Sequence, residues 1–292
     1  MAIPARQFRR REFLAFLCAL AVPLRAQQPD RLFDVALLDH INIRATNSTR
    51  SAHFYQSLFG GDLLWIESIP PNPSSPAAES WYLELGQQYL SVSPTFPDRN
   101  LPAGLDHVSP AVREYVAAAA TEKVKARGID TVSGTAAWLR DPDGMIYQLR
   151  NDAGISKPAV PPAQAKPKAG DVPAAGPAPF AAVSIREITL RVADLTKTAE
   201  FWTSVFGGET TPAGTRDART FKFGETVVRL TPRAASGASS RVGMDRFAIA
   251  VKNFSAASAA SALRQRGIQP NDNGRPGEEH FSDPDGIHVQ LI

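Results

Sequence analysis

The sequence has few of the residues that build disulfides, redox centres and phosphate sites. Its 292 residues include a single cysteine, Cys18, which excludes disulfides within the chain and paired-thiol chemistry. It also lacks the glycine-rich phosphate loop, the paired-ligand spacing of zinc fingers and the Gly-x-Ser-x-Gly turn of serine hydrolases. No apolar run is long enough to span a bilayer comfortably.

The basic pI of about 9.1 arises from the first 26 residues. Five arginines and one glutamate give this segment a net charge of +4, and without it the formal charge falls from +3 to −1. A nearly neutral remainder lacks the electrostatic signature of proteins that bind nucleic acids or acidic membranes. We therefore expect a small-molecule ligand, no nucleic-acid partner and no membrane span.

Residues 1–26 have the pattern of an export signal. A basic segment is followed by the apolar run Phe13–Val22 and then by Leu24-Arg25-Ala26. The run Arg10–Leu14 resembles the bacterial twin-arginine signature, and an ordinary secretory signal is the alternative. We expect these residues to be removed, the mature protein to be periplasmic or otherwise extracytoplasmic, and residues 27–36 to form a tether.

A turn-and-strand segment occurs twice in the rest of the chain. Residues Asp141–Leu149 read DPDGMIYQL, and residues Asp283–Leu291 read DPDGIHVQL. Asp, Pro and Gly in this order favour a tight turn, and each following strand carries one glutamine among apolar residues, Gln148 or Gln290. Two copies of one segment indicate a duplicated domain.

A second repeat indicates that each domain contains two βαβββ modules. The strand entry Leu38–Ile41, which reads LDHI, recurs as LDHV at Leu105–Val108. Period-two alternation predicts that the side chains of His40, Asn42 and Arg44 share one face of the first strand. The chain therefore divides into domains at residues 37–152 and 184–292, and the Pro/Ala/Lys-rich residues 153–183 form a linker.

These repeated motifs resemble the vicinal oxygen chelate superfamily, which includes glyoxalases, extradiol dioxygenases and bleomycin resistance proteins. The resemblance implies an α+β fold in which four βαβββ modules form two domains. Each domain is expected to be an eight-stranded, incompletely closed barrel around a cavity. We expect the two domains to pack against each other, and the sequence leaves open whether the protein is a homodimer.

The resemblance also implies a metal site in the first domain. Metal-dependent members place ligands on the first, fifth and eighth strands, where this chain has His40, His107 and Gln148. The family usually has Glu at the third position, so Glu84 is considered as a substitute carboxylate. The expected cofactor is a divalent ion, Fe, Mn, Zn or Ni, although a metal-free polar cavity is the alternative. Candidate substrate contacts are Asn42, Arg44 and Ser91.

The corresponding positions in the second domain are altered. They hold Glu187, Arg246 and Gln290, and an arginine cannot lose its proton to coordinate a metal. We interpret this as a degenerate second site. Either its charged residues pair with one another or they form an anion-binding pocket.

Two functions are consistent with this pattern. One is an exported metal-dependent enzyme, glyoxalase- or dioxygenase-like, that acts on a small oxygenated substrate, either aromatic or dicarbonyl. The other is a metal-free protein that binds and sequesters a ligand, as bleomycin resistance proteins do. The sequence assigns no catalytic residue.

Overall fold

The computed structural model describes residues 31–69, 78–95, 102–151, 177–211, 217–237, 241–271 and 276–292. The expected export signal and most of the expected linker lie outside these residues. Residues Arg31–Ile292 form one compact unit. None of the helices in the described residues has the length and hydropathy of a membrane-crossing segment.

The first domain contains ten elements from two modules. The first module comprises β1 (Val35–Ala45), α1 (Ser48–Phe59), β2 (Leu63–Ile69), β3 (Ala78–Leu85) and β4 (Gln88–Pro94). The second comprises β5 (Gly104–Val112), α2 (Ala117–Ala126), β6 (Trp138–Arg140), β7 (Ile146–Gln148) and β8 (Arg150–Asn151).

The second domain repeats this order with eight elements in the described residues. Its first module comprises β9 (Ala182–Val192), α3 (Leu195–Val205), β10 (Arg219–Phe223) and β11 (Thr226–Pro232). Its second module comprises β12 (Gly243–Val251), α4 (Ala256–Gln265), β13 (Glu279–Ser282) and β14 (His288–Leu291). Strand β1 therefore begins within the expected tether, and β9 begins within the expected linker.

Local sequence determines where the long helices begin and end. The side chain of Asn47 accepts a hydrogen bond from the Arg50 main-chain N–H at the start of α1, and Asp194 accepts one from Lys197 at the start of α3. Such caps satisfy main-chain donors that have no partner within the helix. Helix α1 ends at Gly60, whose φ of 65° lies in the left-handed region that glycine adopts without steric cost.

The first domain is built on one eight-stranded sheet in which β1 is central. The strand order is β2-β3-β4-β1-β5-β7-β6, and β8 also pairs with β5. Strand β1 is parallel to β4 and antiparallel to β5, so residues of both modules meet along it. Ile41 and Ile43 are completely buried in the core, and the intervening polar side chains face the opposite side.

The sheet of the second domain has six strands in the described residues, in the order β10-β11-β9-β12-β14-β13. The α+β class and the two-domain arrangement are confirmed, but the prediction of eight strands is not met in this part of the structure. Where the first domain has β2, Glu209 makes only an isolated bridge to Phe221. Neither sheet closes into a barrel within the described residues.

The two domains share one hydrophobic core because α1 and α3 each pack onto the opposite domain. The Tyr55 ring of α1 lies 6.2 Å from the Phe247 ring of β12. The Trp202 ring of α3 lies 5.2 Å from the Tyr147 ring of β7, in an edge-to-face arrangement. All four side chains are completely buried. Each helix packs on strands of its own domain and also contacts the other domain, so the two domains meet along α1 and α3.

Each of the two Asp-Pro-Asp-Gly turns binds residues near the start of the long helix of the other domain. Asp285 accepts hydrogen bonds from the Thr46 N–H at 2.9 Å and the Ser51 hydroxyl at 2.7 Å. In the other copy, Asp143 accepts one from the Thr198 hydroxyl at 2.7 Å. The repeated turn therefore links the two domains in addition to reversing the chain.

Candidate metal and ligand site

The candidate site lies on the polar face of β1 and β5. In the antiparallel register, Asn42 is opposite His107 and His40 is opposite Ser109. This register places the two histidines, predicted from separate modules, side by side on one face. The side chains are 2% exposed at His40 and 5% exposed at His107, so the site is shielded from solvent.

The two imidazoles face each other through their outer nitrogens. His40 Nε2 and His107 Nε2 are 3.1 Å apart. Two nitrogens that each lie about 2.1 Å from one ion, at right angles, are separated by about 3.0 Å. The observed spacing therefore matches that of two adjacent ligands of a single metal ion.

Each imidazole is held from behind by the aspartate that precedes it in sequence. His40 Nδ1 lies 2.8 Å from Asp39 Oδ2, and His107 Nδ1 lies 2.8 Å from Asp106 Oδ2. A carboxylate at Nδ1 requires a proton there, which leaves the Nε2 lone pair free. The two lone pairs then point at each other, an arrangement that a cation between them would stabilise.

Strand bulges allow neighbouring residues to reach the same face. The β1–β5 register skips Asp39 on one strand and Asp106 on the other. A bulge adds one residue and redirects its side chain. Sequence reasoning missed both aspartates because it assumed strict alternation, although the Asp-His pair present in both strand entries was an available signal.

Charge around the histidine pair is balanced by two arginines. Arg44 contacts Asp106 at 2.7 Å, and Arg150 lies 3.8 Å from Asp39. Burial acts to raise the pKa of Asp106, but hydrogen bonds from His107 and Arg44 outweigh it and lower that pKa. Burial lowers the pKa of His40 to about 4, although the Asp39 hydrogen bond acts in the opposite direction. His40 is therefore neutral at pH 7, as metal coordination requires.

Aromatic side chains form the walls beside the histidines. The Tyr89 ring stacks on His40 with centroids 4.3 Å apart, and the Trp138 ring meets His107 edge to face at 4.9 Å. Burial and the nearby Asp39 carboxylate raise the pKa of Tyr89, so its hydroxyl keeps its proton. These rings hold the imidazoles in place and exclude water.

The third predicted ligand, Gln148, lies on the neighbouring strand. Its main-chain oxygen accepts a hydrogen bond from the Ser109 hydroxyl at 2.9 Å, which fixes β7 beside β5. In the second domain, Gln290 has the equivalent position, and its side-chain oxygen accepts from Arg246 Nε at 2.8 Å. In the second domain, the glutamine at this position thus meets the long arginine that stands at the position of His107.

Glu84 is placed away from the histidine pair. It pairs with Tyr89 across β3 and β4, and Tyr89 in turn pairs with His40. The Tyr89 ring stacked on His40 therefore lies between the histidine and β3. Within the parts of the chain that the structure describes, no three His, Cys, Asp or Glu side chains are grouped to hold a metal.

The three predicted substrate contacts fall on the same face as the histidines. Asn42 Nδ2 donates hydrogen bonds to Ser91 Oγ at 2.8 Å and Ser93 Oγ at 3.0 Å. Arg44, by contrast, is engaged by Asp106 and also donates to the Pro102 carbonyl at 3.0 Å. Asn42 and Ser91 thus border the site, whereas Arg44 primarily neutralises a carboxylate.

The second domain fills the equivalent position with an ion-pair network. Arg246 contacts Glu187 at 3.2 Å, and Arg229 contacts the same carboxylate at 3.2 Å. Asp245, which lies at a bulge equivalent to that of Asp106, is bound by Arg191 and Arg246. Of the two sequence interpretations, the paired arrangement is the one observed.

The donor set of the first domain fits a divalent ion. The two imidazole Nε2 atoms have the spacing of adjacent ligands, each ring has a carboxylate at Nδ1, and Gln148 lies on the strand next to that of His107. The site differs from a typical metal site in its third candidate ligand, Gln148, which is neutral. With both aspartates paired to arginines, a bound divalent ion would keep most of its positive charge.

The chain is similar to known proteins both in sequence, over its second domain, and in fold. Residues 184–291 match the model of the Glyoxalase/Bleomycin resistance protein/Dioxygenase superfamily. The Mn(II)-bound glyoxalase from Novosphingobium aromaticivorans is similar over 89% of this chain and 82% of its own, with TM-score 0.59 and 13% identity. No curated protein sequence matches the chain.

Two dioxygenase structures are also similar. The 2,3-dioxygenase LapB from Pseudomonas sp. KL28 aligns over 89% of this chain and 92% of its own, with TM-score 0.55 and 13% identity. The E323L mutant of homoprotocatechuate 2,3-dioxygenase from Brevibacterium fuscum aligns over 90% and 73%, with TM-score 0.56 and 14% identity. Residues 184–291 thus match the superfamily model, and the chain as a whole shares the fold of these glyoxalase and dioxygenase structures.

Proposed function

We propose that this chain is a metal-dependent enzyme of the glyoxalase and dioxygenase type. In this proposal, His40, His107 and Gln148 hold one divalent ion in the first domain. The observation that carries it is the pair of Nε2 atoms 3.1 Å apart, each on a ring whose Nδ1 lies against a carboxylate. That one solved structure of similar fold is a Mn(II)-bound glyoxalase supports the choice of a divalent metal.

The residues around the ion define what substrate would fit. A bound divalent ion supplies Lewis-acid chemistry to a ligand with two adjacent oxygens. Asp39 and Asp106 fix the imidazole orientation, and Tyr89 and Trp138 exclude water. Because the protein ligands are neutral, an anionic small oxygenated substrate would restore charge balance.

Metal analysis tests this proposal. Protein loaded with Mn(II) or Zn(II) and then dialysed is expected to retain about one equivalent, as measured by plasma mass spectrometry. The His40→Ala and His107→Ala variants should each retain less than about a tenth of an equivalent. His280→Ala is the matched control. His280 Nδ1 and His288 Nε2 also lie 3.0 Å apart, and the other nitrogen of His280 faces Glu278. A single hydrogen bond from the His288 N–H to His280 Nδ1 accounts for this contact without a metal ion. Metal content that stays intact in His40→Ala or His107→Ala would refute the assignment.

A metal-free binding protein is the second candidate. The neutral Gln148 and the absence of a three-ligand group of His, Cys, Asp or Glu among the described residues favour it. In that case one of the two rings would have to carry protons on both nitrogens to donate from its Nε2 to the other ring. Wild-type protein that retains no metal, yet binds a small oxygenated ligand in calorimetry, would establish this function.

We also propose that the protein is exported. Its support is the basic and apolar pattern of residues 1–26 together with Arg10 and Arg11. In a bacterial host, the protein in the periplasmic fraction should begin near Gln27. Replacement of both arginines by lysine should retain the full-length chain in the cytoplasm if the twin-arginine route is used. Unchanged export would favour the ordinary secretory route.

A further inference from the structure

We propose that the second domain contains a metal-independent proton-transfer site, in which His288 takes a proton from a small monoanion and is supported by His280 and Glu278. This site uses no residue of the first domain and needs no metal ion, so it stands apart from the proposed metal site. The observation that carries it is a chain of two contacts between these side chains. His280 Nε2 lies 3.1 Å from Glu278 Oε2, and His280 Nδ1 lies 3.0 Å from His288 Nε2.

The direction of these hydrogen bonds follows from the carboxylate. An ionised Glu278 can only accept, so His280 carries its proton on Nε2 and has a lone pair on Nδ1. His288 then donates from Nε2 to His280 Nδ1, which leaves the lone pair of His288 on its own Nδ1. Within the part of the chain that the structure describes, no side chain or main-chain group makes a hydrogen bond to that Nδ1. The chain of contacts therefore ends in an available basic nitrogen.

His288 is also the histidine that a ligand can reach. The other four histidines of the chain are buried, whereas His288 is only partly buried. The next residue of β14, Val289, is completely buried in the core. Alternation therefore places His288 on the opposite, polar face of the sheet, together with Gln290. Gln290 accepts a hydrogen bond from Arg246 there, so His288 lies on the same face as the ion-pair network of the second domain.

The charges of that network favour a monoanion. Its members are three arginines and two carboxylates, which sum to +1: Arg191, Arg229, Arg246, Glu187 and Asp245. Burial, and after it the charge of His280, lowers the pKa of His288, so this ring is neutral at pH 7. Arg246 and Arg191 also lower that pKa and Asp245 raises it, which shows that the network lies close to the ring. A ligand with one negative charge would balance the excess positive charge.

The proposed step is removal of a proton from a carbon atom beside a carbonyl group. His288 Nδ1 bonds to the proton, the C–H bond breaks, and its electron pair gives an enolate with the negative charge on the carbonyl oxygen. The Nε2 proton of His288 can then move to His280 Nδ1, and the Nε2 proton of His280 can move to Glu278. Exchange of the transferred proton with solvent and its return to the carbon restore all groups, so no other reactant is consumed.

Chemical modification of His288 tests the role of Glu278. Diethyl pyrocarbonate transfers an ethoxycarbonyl group to a neutral imidazole and releases ethanol and carbon dioxide, and peptide mass spectrometry follows this reaction at His288. At pH 8, Glu278→Gln should lower the rate about fivefold, because glutamine keeps an acceptor oxygen but removes the negative charge behind His280. Glu279→Gln is the matched control, since Glu279 accepts from the main-chain N–H of His280 and not from its ring. Equal rates in Glu278→Gln and the wild type would overturn the proposal.

Deuterium exchange tests the activity itself. Pyruvate is a monoanion with methyl protons beside a carbonyl, and hydroxyacetone is a neutral analogue. In heavy water, chelator-treated wild-type protein should exchange the pyruvate methyl protons at least about tenfold faster than His288→Gln does, as followed by proton NMR. Equal exchange in the two proteins would overturn the proposal, and so would equal acceleration of hydroxyacetone. Because the metal is removed beforehand, these results are independent of whether His40 and His107 bind an ion.

Discussion

The buried carboxylate of Asp141 should make the stability of the protein fall as the pH rises. Its Oδ1 accepts from the main-chain N–H groups of Asp143 and Met145, and its Oδ2 accepts from the Tyr147 hydroxyl. Burial nevertheless raises its pKa from 3.8 to about 6, against the effect of these hydrogen bonds. The folded state therefore binds the proton more tightly than the unfolded state does.

The size of the effect follows from this shift. Below about pH 4 the group is protonated in both states and causes no penalty. Between pH 4 and pH 6 the penalty grows, and above pH 6 it stays constant at about 3 kcal/mol, because one pKa unit corresponds to about 1.4 kcal/mol. Asp141→Asn is uncharged at every pH. Relative to the wild type, this variant should therefore gain about 3 kcal/mol in free energy of unfolding between pH 4 and pH 8.

Urea unfolding of both proteins across this pH range provides the assay. Any fixed loss from the altered Tyr147 contact shifts the difference equally at each pH, so only the change with pH is diagnostic. Burial also raises the pKa of Asp283, the second copy of this aspartate, so Asp283→Asn should show the same direction. Asp130→Asn removes a carboxylate that is 73% exposed and should give no such trend. A difference between Asp141→Asn and wild type that does not vary with pH would refute the reasoning.

Two further predictions concern the links between domains and the third ligand. Asp285→Ala should lower the free energy of unfolding by about 1–3 kcal/mol, because it leaves the buried Ser51 hydroxyl without its acceptor and also removes the hydrogen bond from the exposed Thr46 N–H. Urea unfolding measures this loss, and an effect smaller than that of an exposed-site control would contradict it. Gln148→Glu should tighten Mn(II) binding by roughly tenfold or more, since it adds an anionic ligand. Unchanged affinity in calorimetry would argue against Gln148 as a ligand.

The parts of the fold that the sequence could predict are those determined by local pattern. Alternation along β1 correctly separated His40 and Asn42 from the core residues Ile41 and Ile43. The repeated strand entry correctly brought His107 to the same face. Period-two alternation concerns residues close together in the chain, and a repeated segment is expected to fold alike in each copy, so both features can be predicted from the sequence.

The features that escaped prediction depend on contacts between distant residues. The bulges that turn Asp39 and Asp106 towards the histidines arise from the pairing of β1 with β5, which no local pattern specifies. The contacts between the two domains likewise involve residues more than 100 positions apart, such as Tyr55 and Asp283, whose side chains meet at 2.9 Å. The Asp-Pro-Asp-Gly turn could be recognised from the sequence, but its partner in the other domain could not.

The second domain indicates what the scaffold requires at this position. The Arg246 guanidinium donates to Gln290 at 2.8 Å and to Glu187 at 3.2 Å, the residues that correspond to Gln148 and His40. A covalently attached cation thus bonds to the side chains at two of the positions that the first domain offers to a metal. A glutamine suits both arrangements, because its oxygen accepts from a guanidinium or coordinates an ion without adding charge. When the first domain is considered alone, the neutral Gln148 argues against a metal site. The comparison with Gln290 indicates instead that a glutamine at this position is consistent with a cation next to it in either domain.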